Sequence, residues 1–243
     1  MLQNFNHVYI ITQQFCMSAY IQPLLEALQV LANPNDAVPM KKYMKNHFEF
    51  LGVKTPARNA VLKDFLKQYG LPPAKDLHTL IQYLWQQPYR EYQYVGMEIY
   101  AKFALKNIPH YLDTAEMMIT HRSWWDTVDL IATKTVGANL QKYYTDTQIG
   151  EITLRWIQHD NLWLRRTALL HQLKWKKATN EERLFEYIKI GKDEKDFFIR
   201  KAIGWALREY SKTNPTAVWN FIQNTPLSPL SKKEGLKRIG INH

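Results

Sequence analysis

Apolar residues recur at helical spacing through nearly the whole chain, and proline, glycine and asparagine interrupt them at short intervals. Strand signals are scarce, since no Asn-Gly or Asp-Gly hairpin turn occurs and glycine appears only nine times. The pattern therefore predicts an all-α fold. The predicted helices lie at about 18–32, 39–50, 56–69, 76–86, 89–106, 109–119, 123–136, 138–145, 147–158, 162–173, 180–191, 194–211, 214–224 and 230–240.

Many short helices in tandem, joined by short loops, are typical of a HEAT-like helical-repeat solenoid, in which helix hairpins stack on one another. The repeats do not match each other closely, so the prediction rests on helix number and loop length. We expect about 12–14 helices in antiparallel pairs around a concave basic groove. Residues 17–243 are predicted to form a single domain. Residues 1–16 are predicted to be an N-terminal extension, because Met17 opens a helix of its own.

The charge balance points to a polyanionic partner. There are 32 Lys and Arg against 22 Asp and Glu, which gives a net charge of +10. Lysine and arginine set against phosphates release condensed counterions, so this surplus favours nucleic acid. A basic protein without such a partner would have the same composition.

Several classes of protein are disfavoured by what the sequence lacks. Cys16 is the only cysteine, which excludes an internal disulfide and suits a reducing cytoplasm. No apolar run approaches the ~20 residues of a membrane span. The histidines lack HxxxH spacing and no glycine-rich phosphate loop occurs, so neither a metal nor a cofactor is expected. We expect a monomer without an obligate protein partner.

The motif SWWDTVD opens one helix, with Ser123 predicted as its N-cap. Trp125 and Asp129 are four residues apart on the flank of this helix, so their side chains are neighbours. They are either a core-edge aromatic with a solvated or salt-bridged acid, or a functional pair at a surface. The apolar stripe that predicts the core face consists of Trp124, Val128, Ile131 and Thr135.

A second helix, near residues 197–211, carries a tryptophan away from its core face. Trp205 points about 120° from the centre of the apolar stripe, with Lys201 and Arg208 beside it. Such a tryptophan either packs against a neighbouring repeat or stacks on nucleic acid. The stripe itself consists of Ile199, Ala202, Ile203, Ala206 and Tyr210.

The motif LWLRRTALL predicts a third helix, in which Arg166 falls on the apolar stripe. A guanidinium in that position must be paired, because burying it alone costs several kcal/mol. Arg166 therefore either forms an ion pair with a carboxylate of an adjacent helix or binds a phosphate at a groove wall.

These helices, together with two further segments, resemble the DNA alkylation repair family, the AlkD-like glycosylases. The resemblance implies HEAT-like repeats that hold duplex DNA, with Trp125, Asp129 and Trp205 as catalytic residues. The segments that carry it are PMKKYMKNHF (39–48), WWDTVD (124–129), LWLRRTA (162–168), FFIRKAIGWALREYSKTNP (197–215) and PLSKKE (229–234). The resemblance also implies that Arg166 lies in the catalytic cleft and that Tyr43 contacts DNA. Lys45, Lys201 and Arg208 are further candidates for DNA binding, the last two because they flank Trp205 on its helix.

The activity implied by the resemblance is hydrolysis of the N-glycosidic bond of cationic alkylated purines in double-stranded DNA, without base flipping. A non-catalytic HEAT-like protein that binds DNA of unusual structure is the first alternative. A protein-interaction scaffold is the second, although it gives no reason for Lys201, Trp205 and Arg208 to share a face. DNA retention that weakens with salt would separate the scaffold from the other two.

Overall fold

The computed structural model describes residues 17–239, and most of these residues lie in helices. The predicted extension, residues 1–16, lies outside the described residues, as do residues 240–243. An isolated bridge between Glu49 and Tyr89 is the only β-type pairing within the described part. The all-α prediction is confirmed. The helices are α1 (17–30), α2 (Pro34–Tyr43), α3 (Thr55–Tyr69), α4 (Leu77–Gln86), α5 (Arg90–Ala101), α6 (Tyr111–Thr120), α7 (Trp125–Leu130), α8 (Gly137–Tyr143), α9 (Asp146–Ile157), α10 (Leu162–Leu170), α11 (Glu181–Gly191), α12 (Phe197–Tyr210), α13 (Pro215–Asn224) and α14 (Pro229–Leu236).

The chain divides into two compact units. The N-terminal unit comprises the described residues up to Phe103 together with residues 107–117. The C-terminal unit comprises residues 104–106 and the described residues from Met118 onward. A single domain over residues 17–243 stays a prediction.

The core of the N-terminal unit is built from regularly spaced apolar side chains. On α1, Ile21, Leu24 and Leu28 are fully buried, at the spacing that keeps side chains on one helical face. Most of α5 is also buried, including Tyr92 and Tyr100. A helix hidden on nearly all sides must find internal partners for its polar side chains.

The predicted helix at 39–50 is wrong. The helix there is α2, which begins after the N-cap Asn33 and ends at Tyr43. Lys45 and Asn46 then adopt left-handed backbone angles, with φ of 56° and 62°, which end the helix. The residues after them form an extended segment that bridges to the start of α5.

The loop after this turn is fixed by a buried acid. The carboxylate of Glu91, which is fully buried, accepts hydrogen bonds from three consecutive backbone N–H groups. The donors are Leu51, Gly52 and Val53, at 3.0, 2.9 and 3.1 Å. Glu91 thus supplies the partners that the loop backbone lacks.

Six helices of the C-terminal unit begin at side chains that cap the free N–H groups of the first turn. These capping residues are Thr145, Asn161, Asn180, Asp196, Asn214 and Ser228. Four of the five residues predicted for the apolar stripe of α12 are buried, and Tyr210 is half-buried. Near Arg166, Leu169 and Leu173 lie in the core, whereas Leu162 is half-buried.

Candidate active site

Asp129 is held by an arginine from a second helix of the C-terminal unit. The Nε and Nη2 atoms of Arg166, on α10, donate to Oδ1 and Oδ2 of Asp129 over 2.6 and 2.8 Å. The Nη1 atom donates to the backbone carbonyl of Phe198 at the start of α12. One guanidinium therefore links α7, α10 and α12, and its planar fork fixes the plane of the carboxylate.

The two partners of this ion pair differ in burial. The Arg166 side chain is 4% exposed, whereas that of Asp129 is 19% exposed. The arginine is thus enclosed behind a carboxylate whose outer edge reaches the surface. A carboxylate fixed in this way is oriented before any ligand arrives.

For Arg166, the sequence left an internal ion pair and a phosphate contact open, and the structure shows the ion pair. Three of the five guanidinium N–H groups are used within the protein, two by Asp129 and one by Phe198. The direct role of Arg166 is therefore to hold Asp129. A phosphate contact by Arg166 stays a prediction.

Trp125 is the first residue of α7, one turn before Asp129, and its side chain is half-buried. The predicted N-cap, Ser123, is wrong, because its hydroxyl donates to the carbonyl of Ile119 and Trp124 takes the N-cap position. Trp125 therefore begins the same short helix that presents Asp129, as the flank prediction requires.

Trp124 belongs to an aromatic cluster rather than to a simple core stripe. Its ring centroid lies 5.6 Å from that of Trp163 and 5.1 Å from that of Phe198. The Trp163 and Phe198 rings are 5.0 Å apart. This cluster joins α10 and α12 to the start of α7, the same three helices that Arg166 connects.

A π-helical turn, Ile131–Val136, follows α7 directly. The Thr133 hydroxyl donates to the backbone carbonyl of Asp129 over 2.7 Å, which satisfies a group at the junction. Such turns are rare in proteins and occur often at functional sites. Apolar spacing alone predicts one helix over 123–136 and does not reveal the change of pitch.

Trp205 lies on α12, half-buried, between Lys201 and Arg208. Phe198, whose carbonyl receives Arg166, is seven residues earlier on this helix, about 10 Å along the axis and on the same side. α12 thus supplies both an anchor for the Asp129–Arg166 pair and the second predicted catalytic tryptophan.

The two cations beside Trp205 share a partner that the sequence analysis missed. Lys201 Nζ lies 2.7 Å from Oε1 of Glu234, and Arg208 Nη1 lies 2.7 Å from Oε2. Lys237 adds a third contact, at 2.6 Å. Glu234 closes the PLSKKE segment, so the resemblance included it, but helical spacing gives no signal for a contact more than 25 residues away.

Tyr43 and Lys45 belong to the N-terminal unit. Tyr43 ends α2 with 68% of its surface exposed, and Lys45 is exposed in the left-handed turn that follows. Both are accessible to a ligand. Their contact with DNA stays a prediction.

A cavity of about 320 Å³ lies elsewhere in the C-terminal unit. Its walls include Leu169, Leu173 and Ala206, with Lys176 and Lys177 among its polar lining. None of the predicted catalytic residues lines this cavity. The candidate active site is therefore the surface around Asp129 rather than this cavity.

Two kinds of feature are absent from the described residues, a membrane-spanning helix and a cluster of metal ligands. No helix within residues 17–239 is long and apolar enough to cross a membrane. In the same residues, no group of three or more His, Cys, Asp or Glu side chains is arranged to hold a metal ion.

The sequence and the fold are similar to those of known proteins. Residues 24–239 match the family model for the DNA alkylation repair enzyme. A solved structure of a predicted DNA alkylation repair enzyme from Enterococcus faecalis is 34% identical, with a TM-score of 0.79. The similarity covers 86% of this chain and 97% of that chain, and it confirms the helical-repeat fold class. No curated protein matches the chain.

Proposed function

Because the chain belongs to the DNA alkylation repair enzyme family, we propose that it is a monofunctional DNA glycosylase of base excision repair. Its substrates are cationic alkylated purines in double-stranded DNA, such as 3-methyladenine and 7-methylguanine. The observation that carries the proposal is the Asp129 carboxylate, fixed by two hydrogen bonds from Arg166 and still 19% exposed.

The reaction needs a negative charge near the sugar more than it needs a proton donor at the leaving base. Alkylation at N3 or N7 makes the purine cationic, so it leaves readily when the bond to C1′ breaks. The bonding electron pair stays with the purine and neutralises it, while positive charge develops on the deoxyribose. An ionised Asp129 stabilises that charge and orients a water molecule. The water oxygen bonds to C1′ and loses a proton, which leaves an abasic site.

Trp125 and Trp205 add aromatic surfaces to this electrostatic stabilisation. An electron-rich ring face near a sugar that is becoming cationic contributes about 0.5–2 kcal/mol by cation–π attraction. Selectivity follows from the lability of the cationic base, so the lesion need not leave the duplex. Neutral lesions such as hypoxanthine should remain, because their glycosidic bonds are not weakened by charge.

DNA is held through its phosphates in this proposal. Lys201 and Arg208 act beside Trp205, and Tyr43 and Lys45 act from the N-terminal unit. Arg166 acts mainly through Asp129. Binding that depends on phosphates should weaken steeply as salt rises, because counterions are released on association.

The test measures free base released from N-methylated duplex DNA by the wild type and by Asp129→Asn. The substitution keeps the shape of the side chain but removes its charge, so release should fall about 10²–10³-fold. Asp126→Asn is the matched control, since it removes a carboxylate from the first turn of the same helix and should change release only slightly.

Each outcome bears on a different part of the proposal. Release that is equal in the wild type and Asp129→Asn would remove Asp129 from the mechanism. Rapid release of hypoxanthine would contradict selection by lability. DNA binding without release by the wild type would favour the non-catalytic DNA-binding alternative.

A further inference from the structure

Glu234 is a buried carboxylate surrounded by cations. Its side chain is 5% exposed and contacts Lys201, Arg208 and Lys237 at 2.6–2.7 Å. The hydrogen bond from Lys201, followed by that from Lys237, lowers the pKa of Glu234 to about 2. Three cations around one anion leave a local surplus of two positive charges.

The cations are arranged symmetrically about Trp205. Lys201 lies one turn before the tryptophan on α12, Arg208 lies one turn after it, and each binds a different oxygen of Glu234. Side chains three and four residues apart share one face of a helix. The carboxylate therefore fixes both flanks of the face that carries Trp205.

The close approach of α12 to α14 at Glu234 leaves little room for movement. A Cβ atom added to Gly204 would lie 2.4 Å from the Cβ of Glu234 and 3.0 Å from the carbonyl of Ser231. Only glycine allows α12 and α14 to approach so closely. Gly204 immediately precedes Trp205, so the contact and the tryptophan share one turn.

We infer that Glu234 is a positioning residue: through Lys201 and Arg208 it fixes the orientation of Trp205, and it holds the surplus cations ready for a DNA phosphate. This inference rests on the proposed function and extends it to α14, a helix that none of the predicted catalytic residues occupies. Glu234 itself contacts no reacting atom. Its carboxylate is the common anchor for a catalytic face.

The matched pair for the test is Glu234→Gln and Glu181→Gln. Glu181 also binds the C-terminal end of α12 and the residues after it. Its carboxylate accepts hydrogen bonds from Tyr210 Oη at 2.8 Å and from Asn214 Nδ2 at 3.0 Å. Tyr210, however, lies on the core stripe, away from Trp205. Both variants keep the side-chain volume and remove one negative charge. A loss that occurs only in Glu234→Gln is therefore due to the contacts of Glu234 with Lys201 and Arg208, and not to the removal of a carboxylate as such.

Single-turnover release of 7-methylguanine should fall about 10–100-fold in Glu234→Gln and stay within about twofold of wild type in Glu181→Gln. Salt dependence should also change in Glu234→Gln, because Lys201 and Arg208 are no longer held in place. Equal rates in the two variants would overturn the inference.

A second measurement does not depend on activity. The chain has eight tryptophans, so labelling with 5-fluorotryptophan gives one ¹⁹F resonance for each, and Trp205→Phe assigns the one of interest. The Trp205 resonance should shift or broaden in Glu234→Gln and remain in place in Glu181→Gln. An unchanged Trp205 resonance in Glu234→Gln would overturn the inference.

The two proposals fail in different ways. Failure of the wild type to release any base would contradict the glycosylase, and the ¹⁹F spectrum would then decide the role of Glu234 alone. Wild-type release with an unaffected Glu234→Gln variant would leave the glycosylase standing and remove Glu234 from its site.

Discussion

Glu91 in the N-terminal unit and Glu234 in the C-terminal unit are both buried carboxylates, but their partners differ in kind. Glu91 accepts from three backbone N–H groups of one loop. Glu234 binds side-chain cations, as Asp129 does in the same unit. Backbone donors cannot turn away or bind another anion, whereas lysine and arginine side chains can do both.

Under the proposed function, the difference separates an anion that stabilises the fold from anions that serve the site. Glu91 completes the hydrogen bonding of a loop, and the three donors are backbone groups that carry no net charge. Glu234 holds partly exposed cations with which a phosphate can interact, whereas Asp129 exposes an edge of its own carboxylate, which can stabilise a developing positive charge. Stability and activity should therefore respond differently to changes in the two units.

The largest effect is expected from Arg166→Met, which leaves Asp129 without its partner. Removing one member of a buried pair costs about 3 kcal/mol, and base release should fall about 10²–10³-fold because the carboxylate loses its orientation. Urea unfolding and single-turnover release measure the two losses. The neighbouring Arg165→Met is the control, since Arg165 binds backbone carbonyls and Glu194 instead. Similar losses in both variants would refute the special role of Arg166.

Acid should weaken the C-terminal unit through His171. Burial lowers the pKa of His171 from 6.5 to about 4, so the unfolded chain binds the proton more readily. Stability is therefore lost as pH falls from about 6.5 to 4, by about 3 kcal/mol in total. Glu234, with its pKa lowered from 4.5 to about 2, adds a second loss as pH falls below about 4.5.

Hydrogen exchange at pH 7 and pH 4.5 can locate this loss within the chain. Peptides around His171 should lose protection in the wild type and much less in His171→Gln. His159→Gln is the control, because His159 is exposed. Loss of protection confined to the N-terminal unit would contradict the assignment of the acid-induced loss of stability to His171.

Glu91→Gln should lower the free energy of unfolding by about 2 kcal/mol, since three N–H groups lose a charged acceptor. Base release per folded molecule should stay at the wild-type value. Thermal unfolding and single-turnover release give the two numbers. A large loss of release in the folded variant would erase the distinction between the two carboxylates.

The smallest effect is expected from Lys212→Gln. Lys212 pairs with Glu209 at 2.6 Å, but its side chain is 42% exposed, so water and salt screen the interaction. The change in stability should be less than about 0.5 kcal/mol. A loss of unfolding free energy close to that of Arg166→Met, measured in the same urea titration, would show that burial does not determine how much these ion pairs contribute to stability.

Local sequence patterns predicted much of the fold. The apolar spacing of α12 placed Ile199 and Ile203 in the core and Trp205 outside it, and that arrangement is confirmed. Such patterns depend on residues three and four apart, which sequence shows directly. The same patterns indicated that Arg166 must be paired, without saying by what.

The parts that were not predicted depend on distant contacts or on backbone geometry. Glu234 meets Lys201 across 33 residues of sequence, and no spacing rule connects them. The left-handed turn at Lys45 and the π-helical turn after α7 are backbone features that apolar periodicity does not register. Sequence analysis therefore found the candidate residues but not the framework that orients them.

The bond from Arg166 to the carbonyl of Phe198 has a consequence for how this chain can diverge. Since the acceptor is main chain, this hydrogen bond does not depend on which side chain stands at position 198, where the ring of Phe198 is held instead by its packing against Trp124 and Trp163. An insertion or deletion within α12 cannot be tolerated so easily, because one residue turns the rest of the helix by about 100°. Relatives should accordingly keep the number of residues between positions 198 and 205, together with the glycine at position 204 that the approach of α14 requires.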